Sequence, residues 1–259
     1  MKITSGNLGR RIPTDFEHVE KYSFAALSEP PALVAERTLR LPWWHRWHDQ
    51  GQTSSCVGHG VAMERAIVNG MQNKLLGMIP YSRHYDPISI WNEAKVIDEW
   101  ADTNPGDNQG TSVRAGCDVA RTKGVQRVKW MKLVDDVPTP QREQDWDENE
   151  GILTNRWATT VDELRTVISN GAAVAIGVNW YGAFDIPQKR PNGEWWIRED
   201  NLGGIRGGHC VTLYGVSDKR KGFKMKNSWG SNYPLVWIPY TVMERLLNED
   251  GEAALVTDR

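Results

Sequence analysis

The chain has 259 residues, enough for one large domain or for two lobes sharing an interface. A formal net charge of −2 offers no basic excess for nucleic acid, and no run of about 18 apolar residues offers a membrane span. Three cysteines are too few, and odd in number, for a disulfide framework; with no apolar signal stretch in "MKITSGNLGRRIPTDFEH", the expectation is a reduced, cytoplasmic protein.

Residues 1–40 are punctuated by proline and read as an extended N-terminal strap or a short pro-like segment, ahead of a single domain over 41–259. A helix is expected from Cys56 through "CVGHGVAMERAIVNG", with the preceding serines as natural N-caps. "PISIWNEAKVIDEW" has helical spacing, and a third helix follows "GTS", with Val113, Cys117 and Ala120 on one face and Gly124 as its stop. Residues 135–150 carry seven acids and two prolines, which fits an exposed loop. In "TTVDELRTVISNG" Thr160 and Glu163 form a capping box, and Gly171 ends the helix. Strand-like runs then occupy 172–178, 209–216 and 222–229. A helical lobe (roughly 50–130) preceding a β-rich lobe (roughly 160–250) is the pattern of an α+β protein with a pocket at the junction.

The stretch "DQGQTSSCVGHG" (49–60) places one of the rare cysteines where a helix begins. The positive end of a helix dipole lowers a thiol pKa, so Cys56 is a candidate nucleophile. Such a nucleophile needs a base from elsewhere in the fold and a group that orients the base. His209 in "GGHCVTLYGV" opens a strand, and Gly207 and Gly208 would let a substrate backbone approach. Asn227 in "KNSWG" could accept the imidazole proton, with Trp229 shielding that bond from water. Cys210, next to His209 on a strand, should point to the opposite face and serve as a small buried residue.

"DQGQTSSC", "GGHCVTLYGV" and "FKMKNSWG" resemble the three signature blocks of the papain family of cysteine peptidases, in that family's order. More weakly, "YDPISIWNEAK", "GTSVRAGCDVARTKGV", "AVAIGVNWYGAF" and "WIPY" resemble bacterial and phage-type members without a long pro-region. The resemblance implies a papain-like two-lobe fold with the site in the cleft. It implies Cys56 as nucleophile, His209 as general base and acid, Asn227 as orienting residue and Gln50 as oxyanion donor beside the Cys56 N–H. It also implies main-chain pairing with substrate at Gln109–Gly110, Gly208 facing it across the cleft, a polypeptide substrate, and no cofactor or metal. Thr53, Ser54, Val57 and "SNYPLVW" depart from the family pattern and bear on subsite shape.

Other readings accompany this one. His45, His48, Cys56 and His59 superficially pair like zinc ligands, but the seven-residue gap is short and the set would consume the nucleophile. The tryptophans of "WWHRW" and "EWW" suit core filling, with Trp180 the best cleft-lining, substrate-binding candidate among them. A papain-fold structural or binding protein with little turnover, or an isopeptidase, amidase or cell-wall peptide hydrolase, would carry the same motifs.

Overall fold

The computed structural model describes residues 8–13, 33–78, 83–101 and 109–258. Most of the strap expected over 1–40 lies outside these residues. Of what is described, 8–13 is extended and Glu36–Thr38 forms a short strand, β1.

The helical lobe is built on α1 (Cys56–Leu75), which begins at the candidate nucleophile. After β2 (His84–Tyr85) comes α2 (Pro87–Ile97), where Asp86 caps by accepting from the Ile88 and Ser89 N–H groups and Pro87 supplies the first-turn φ. Next is α3 (Val113–Thr122), capped by Ser112 and followed by Gly124 at φ 83°. Residues 135–150, expected to be a loop, instead contain half of a hairpin made by β3 (Arg127–Val134) and β4 (Val137–Arg142). Asp135 and Asp136 form its two-residue turn at φ 49° and 59°, a conformation aspartate tolerates better than most residues. Pro138 and Pro140 are admitted because β4 is the edge of the sheet β2-β3-β4.

The β-rich lobe starts with β5 (Ile152–Ala158) and α4 (Val161–Ser169), whose Thr160–Glu163 capping box forms with both reciprocal bonds. Then follow β6 (Val174–Tyr181), the single turn α5 (Gly182–Asp185), β7 (Gln188–Lys189) and β8 (Trp195–Trp196). The long β9 (Ile205–Ser217), β10 (Gly222–Lys226), β11 (Val236–Pro239), α6 (Tyr240–Asn248) and β12 (Glu252–Asp258) complete the chain order. The large sheet runs β5-β12-β6-β9-β10-β11-β8-β7, with β1 on β9. The lobe thus extends past residue 250, since β12 sits inside the sheet between β5 and β6.

Alternation along these strands makes one sheet serve two cores. Val174, Ile176, Val211, Leu213, Ala253 and Leu255 face a core shared with α4 and α6. Their neighbours Ala173, Ala175, Cys210, Tyr214 and Ala254 face a second core formed with α1 and α3. Small residues on that second face let α1 approach closely: a Cβ on Gly60 would fall 2.5 Å from the Cys210 sulfur. The start of α1 is thereby pressed against the strand that carries His209. Among the described residues no helix is long and apolar enough to cross a membrane, and all three cysteines are free and buried.

Candidate active site

His209 lies on β9, paired in register with Val178 of β6, and its side chain is fully buried. Its Nε2 is 2.9 Å from Asn227 Oδ1. That same oxygen accepts from the Ser228 N–H at 2.7 Å, which identifies it as the amide oxygen, so Nε2 must be the donor. The neutral ring therefore carries its proton on Nε2, leaving Nδ1 with a lone pair. Nδ1 is buried and has no hydrogen-bond partner. A locked tautomer with one bare nitrogen is the form a general base requires.

Two tryptophans enclose the imidazole. Trp229 is tilted over it with centroids 5.2 Å apart, and Trp180 meets it edge-on at 4.5 Å. Trp180 is fully buried, packs on Phe184, Trp229 and Tyr233, and donates from Nε1 to Asp185 at 2.9 Å. The structure therefore puts Trp180 behind the imidazole as part of the core, not on an open cleft wall.

Cys56 opens α1 from across the lobe junction. Ser55 is at the N-cap but makes no side-chain cap bond; its hydroxyl goes to Thr53 Oγ1 at 2.6 Å and His59 Nδ1 at 3.1 Å. Beside it, the Gln50 N–H donates to Ser228 O at 2.8 Å, and Ser228 Oγ donates to Gln50 Oε1 at 2.6 Å. The Thr53 carbonyl, which can only accept, fixes which end of the Gln50 amide is nitrogen: Nε2 donates to Thr53 O at 2.8 Å. Ser228, adjacent to Asn227, thus ties Gln50 in the loop before the cysteine to the segment bearing Asn227. His59 bonds back to Ser55 O at 3.0 Å and receives His48 Nε2 at its own carbonyl, 2.9 Å away. Among the described residues no three His, Cys, Asp or Glu side chains converge as metal ligands.

The cleft is filled by the chain's own N-terminal segment. The Arg10 N–H donates to Gly208 O at 3.0 Å on one wall. On the other wall Thr111 N–H donates to Gly9 O, and Arg11 N–H donates to Thr111 O, both at 2.9 Å, as a parallel bridge. The strap's main-chain pairing on this wall is at Thr111, the residue after Gln109–Gly110. Gln109 instead accepts from Trp91 Nε1 through its carbonyl and from Arg11 through Oε1. The glycines supply room: a Cβ on Gly110 would be 1.9 Å from Gly9 O, and one on Gly208 would be 2.2 Å from Arg10 O.

Sequence reasoning missed two charged residues here. The Arg10 side chain is fully covered and its Nε donates to Glu252 Oε2 at 3.0 Å. A charged pair separated by 242 residues leaves no local signal.

With the strap in place the electrostatics are those of a dry site. Burial pushes the Cys56 thiol up to about 11, outweighing the backbone N–H groups of Cys210, Gly9 and Val57 and the Arg10 charge. Burial likewise lowers His209 to about 4, against the raising effect of its bond to Asn227. The lowering expected from the helix end is overridden here, and both groups are neutral in this closed form.

No family model matches the chain, and no curated protein does. Solved structures do match. Xylellain, a cysteine protease from Xylella fastidiosa, shares 18% identity over 97% of this chain and 96% of its own, with a TM-score of 0.69. A digestive procathepsin L 3 from Tenebrio molitor larval midgut aligns at 13% identity over 97% of this chain and 76% of its own (TM-score 0.59). The Carica candamarcensis cysteine protease CMS1MS2, in complex with E-64, aligns at 10% over 88% and 100% (TM-score 0.57). At these identities the likeness is one of architecture, and it is consistent across neighbours: the chain has the α+β fold of the papain-like cysteine proteases.

Proposed function

We propose that the protein is a cysteine peptidase held closed by residues 8–11. Cys56 is the nucleophile, His209 the base and acid, and Asn227 the group that fixes the imidazole tautomer. Gln50 Nε2 and the Cys56 N–H stabilise the oxyanion, and Trp229 shields the His209–Asn227 bond. His209 takes the thiol proton at Nδ1 as sulfur attacks a peptide carbonyl, then returns it to the leaving amine. Water activated by the same nitrogen releases the acyl-enzyme. The observation that carries this reading is the buried, unpartnered Nδ1 of a tautomer-locked imidazole. A polypeptide is the substrate, because the walls at Gly208 and Thr111 already pair with main chain.

The filled cleft also favours a second reading, a papain-fold binding protein that never turns over. Alkylation of each cysteine against pH, read by peptide mass spectrometry, separates the two. In the intact chain Cys56 should be as inert as Cys117 and Cys210. In a Gly9→Ala variant, which expels the strap, Cys56 alone should react at pH 6, and His209→Ala in that background should abolish the advantage. A released Cys56 that titrates like an ordinary thiol near 8.5, with no peptide hydrolysed, leaves the binding-protein reading.

A further inference from the structure

Lys226 ends β10, one residue before Asn227, and is only 4% exposed. Its Nζ donates to the Asn227 carbonyl, and among the described residues it forms no ion pair. The carboxylate whose charge it feels is Asp49, which is committed to the Gly51 N–H at 3.0 Å. Burial lowers the ammonium to about 8 against the pull of Asp49, so it is still charged at neutral pH. A buried cation without an ion-pair partner is costly, and an anion within reach offsets that cost.

Lys226 lines a cavity of about 300 Å³, at the lower end of the range for small-molecule sites. The 3₁₀ turn Trp43–Trp47 lines it with His45 and Arg46, and residues 230–235 line it with Ser231, Tyr233 and Leu235. Among the described residues no carboxylate lines it. Arg46 is exposed and, among those residues, pairs with no acid, so its planar fork is open to a ligand. His45 Nδ1 donates to the Pro42 carbonyl at 2.8 Å, which leaves Nε2 as the uncommitted nitrogen. Burial, with the charges of Lys226 and Arg46, holds this ring below 6.5 against its bond to Pro42. An anion in the cavity cancels the effect of those charges and lets Nε2 take a proton and donate. Three basic side chains from two elements, with the Ser231 hydroxyl from a third, suit a ligand with three acceptor oxygens better than a carboxylate with two.

We propose that Lys226, Arg46 and His45 form a binding site for a phosphomonoester. The phosphate lies on the three basic side chains, and the organic group runs along Tyr233 and Leu235. The site shares no lining residue with the strap-filled cleft or with the candidate catalytic set. It does not depend on the peptidase reading, and binding tests it without catalysis.

The test titrates the full chain by calorimetry, at neutral pH and fixed ionic strength, with phenyl phosphate, inorganic phosphate, sulfate and benzoate. Phenyl phosphate should bind best, inorganic phosphate and sulfate more weakly, and benzoate without saturation. Arg46→Gln, on the surface, should weaken phenyl phosphate roughly 10–100-fold, the usual loss for a hydrogen bond to a charged group. Lys226→Met should remove binding, and Arg121→Gln, which deletes a surface arginine on α3, should leave it unchanged. Lys226→Met also takes a donor from the Asn227 carbonyl; should that variant fail to fold, Arg46→Gln and His45→Gln decide. Saturable binding of phenyl phosphate that Arg46→Gln weakens and Arg121→Gln spares supports the site. Equal affinity for benzoate, an equal loss in Arg121→Gln, or no saturable binding of either phosphate overturns it. Inorganic phosphate binding as tightly as phenyl phosphate overturns the assignment to an ester.

Discussion

A methyl group added to residue 9 would land 2.0 Å from the Ser54 carbonyl oxygen, on backbone that cannot yield. Gly9→Ala should therefore eject the strap without altering the cleft walls, raising the rate of peptide hydrolysis above that of the intact chain. Gly110→Ala gives the contrasting case. Its Cβ would strike the strap at Gly9 O, but it would equally obstruct an incoming substrate backbone, so the thiol becomes alkylatable while hydrolysis stays low. Assaying both variants for alkylation and turnover separates strap release from substrate fit. In the released background, Gln50→Ala should lower kcat by about 10²–10³, the usual loss for one oxyanion donor. The candidate groups were legible because each sits in a short block whose residue types state a chemistry: Gln50 with Cys56, His209 behind two glycines, Asn227 before Ser228 and Trp229. Arg10 and Glu252 were illegible because burial and partnership, not residue type, give them meaning. For a related reason, a tryptophan beside a strand end says nothing about which side of an imidazole it will cover, and Trp180 is buried edge-on to His209.

Helix starts were the most readable elements, because capping is local chemistry. The Thr160–Glu163 box forms as the sequence predicts, and Thr160→Ala should lower stability by about 1 kcal/mol in a denaturant melt, with the alkylation profile of Cys56 unchanged. The β3–β4 hairpin was less readable. Acids and prolines are loop formers by composition, yet here the two aspartates make the turn and the prolines sit on a sheet edge. β12 escaped notice for a third reason: a strand of only seven residues draws its identity from the neighbours that flank it, and those lie at 152–158 and 174–181.

For the molecule as a whole, acid should be the main chemical stress. His48, His59, His84 and His209 are all held below the usual 6.5, chiefly by burial, with His59 and His209 at about 4 and His84 at about 3. A folded pKa below the unfolded one means the unfolded chain binds protons first. Their stabilising contribution is complete above pH 6.5 and is lost as the pH falls toward about 4 and 3. Each pH unit separating folded from unfolded pKa is worth about 1.4 kcal/mol, so several such groups make the loss steep. Denaturant midpoints measured from pH 7.5 to 4 should fall sharply below 6.5, and His84→Phe should flatten part of that slope; a flat profile would mean these rings are hydrated.

The Arg10–Glu252 pair also fixes an order of events during synthesis. Arg10 leaves the ribosome 242 residues ahead of the carboxylate that receives it. The same late strand fills the gap between β5 and β6, so the β-rich lobe closes only once it emerges. At the usual pace of about 5–20 residues per second, roughly 12–50 s separate the two. The lock is thus waiting before there is anything to lock, and a nascent chain never presents a finished, unguarded cleft to its neighbours.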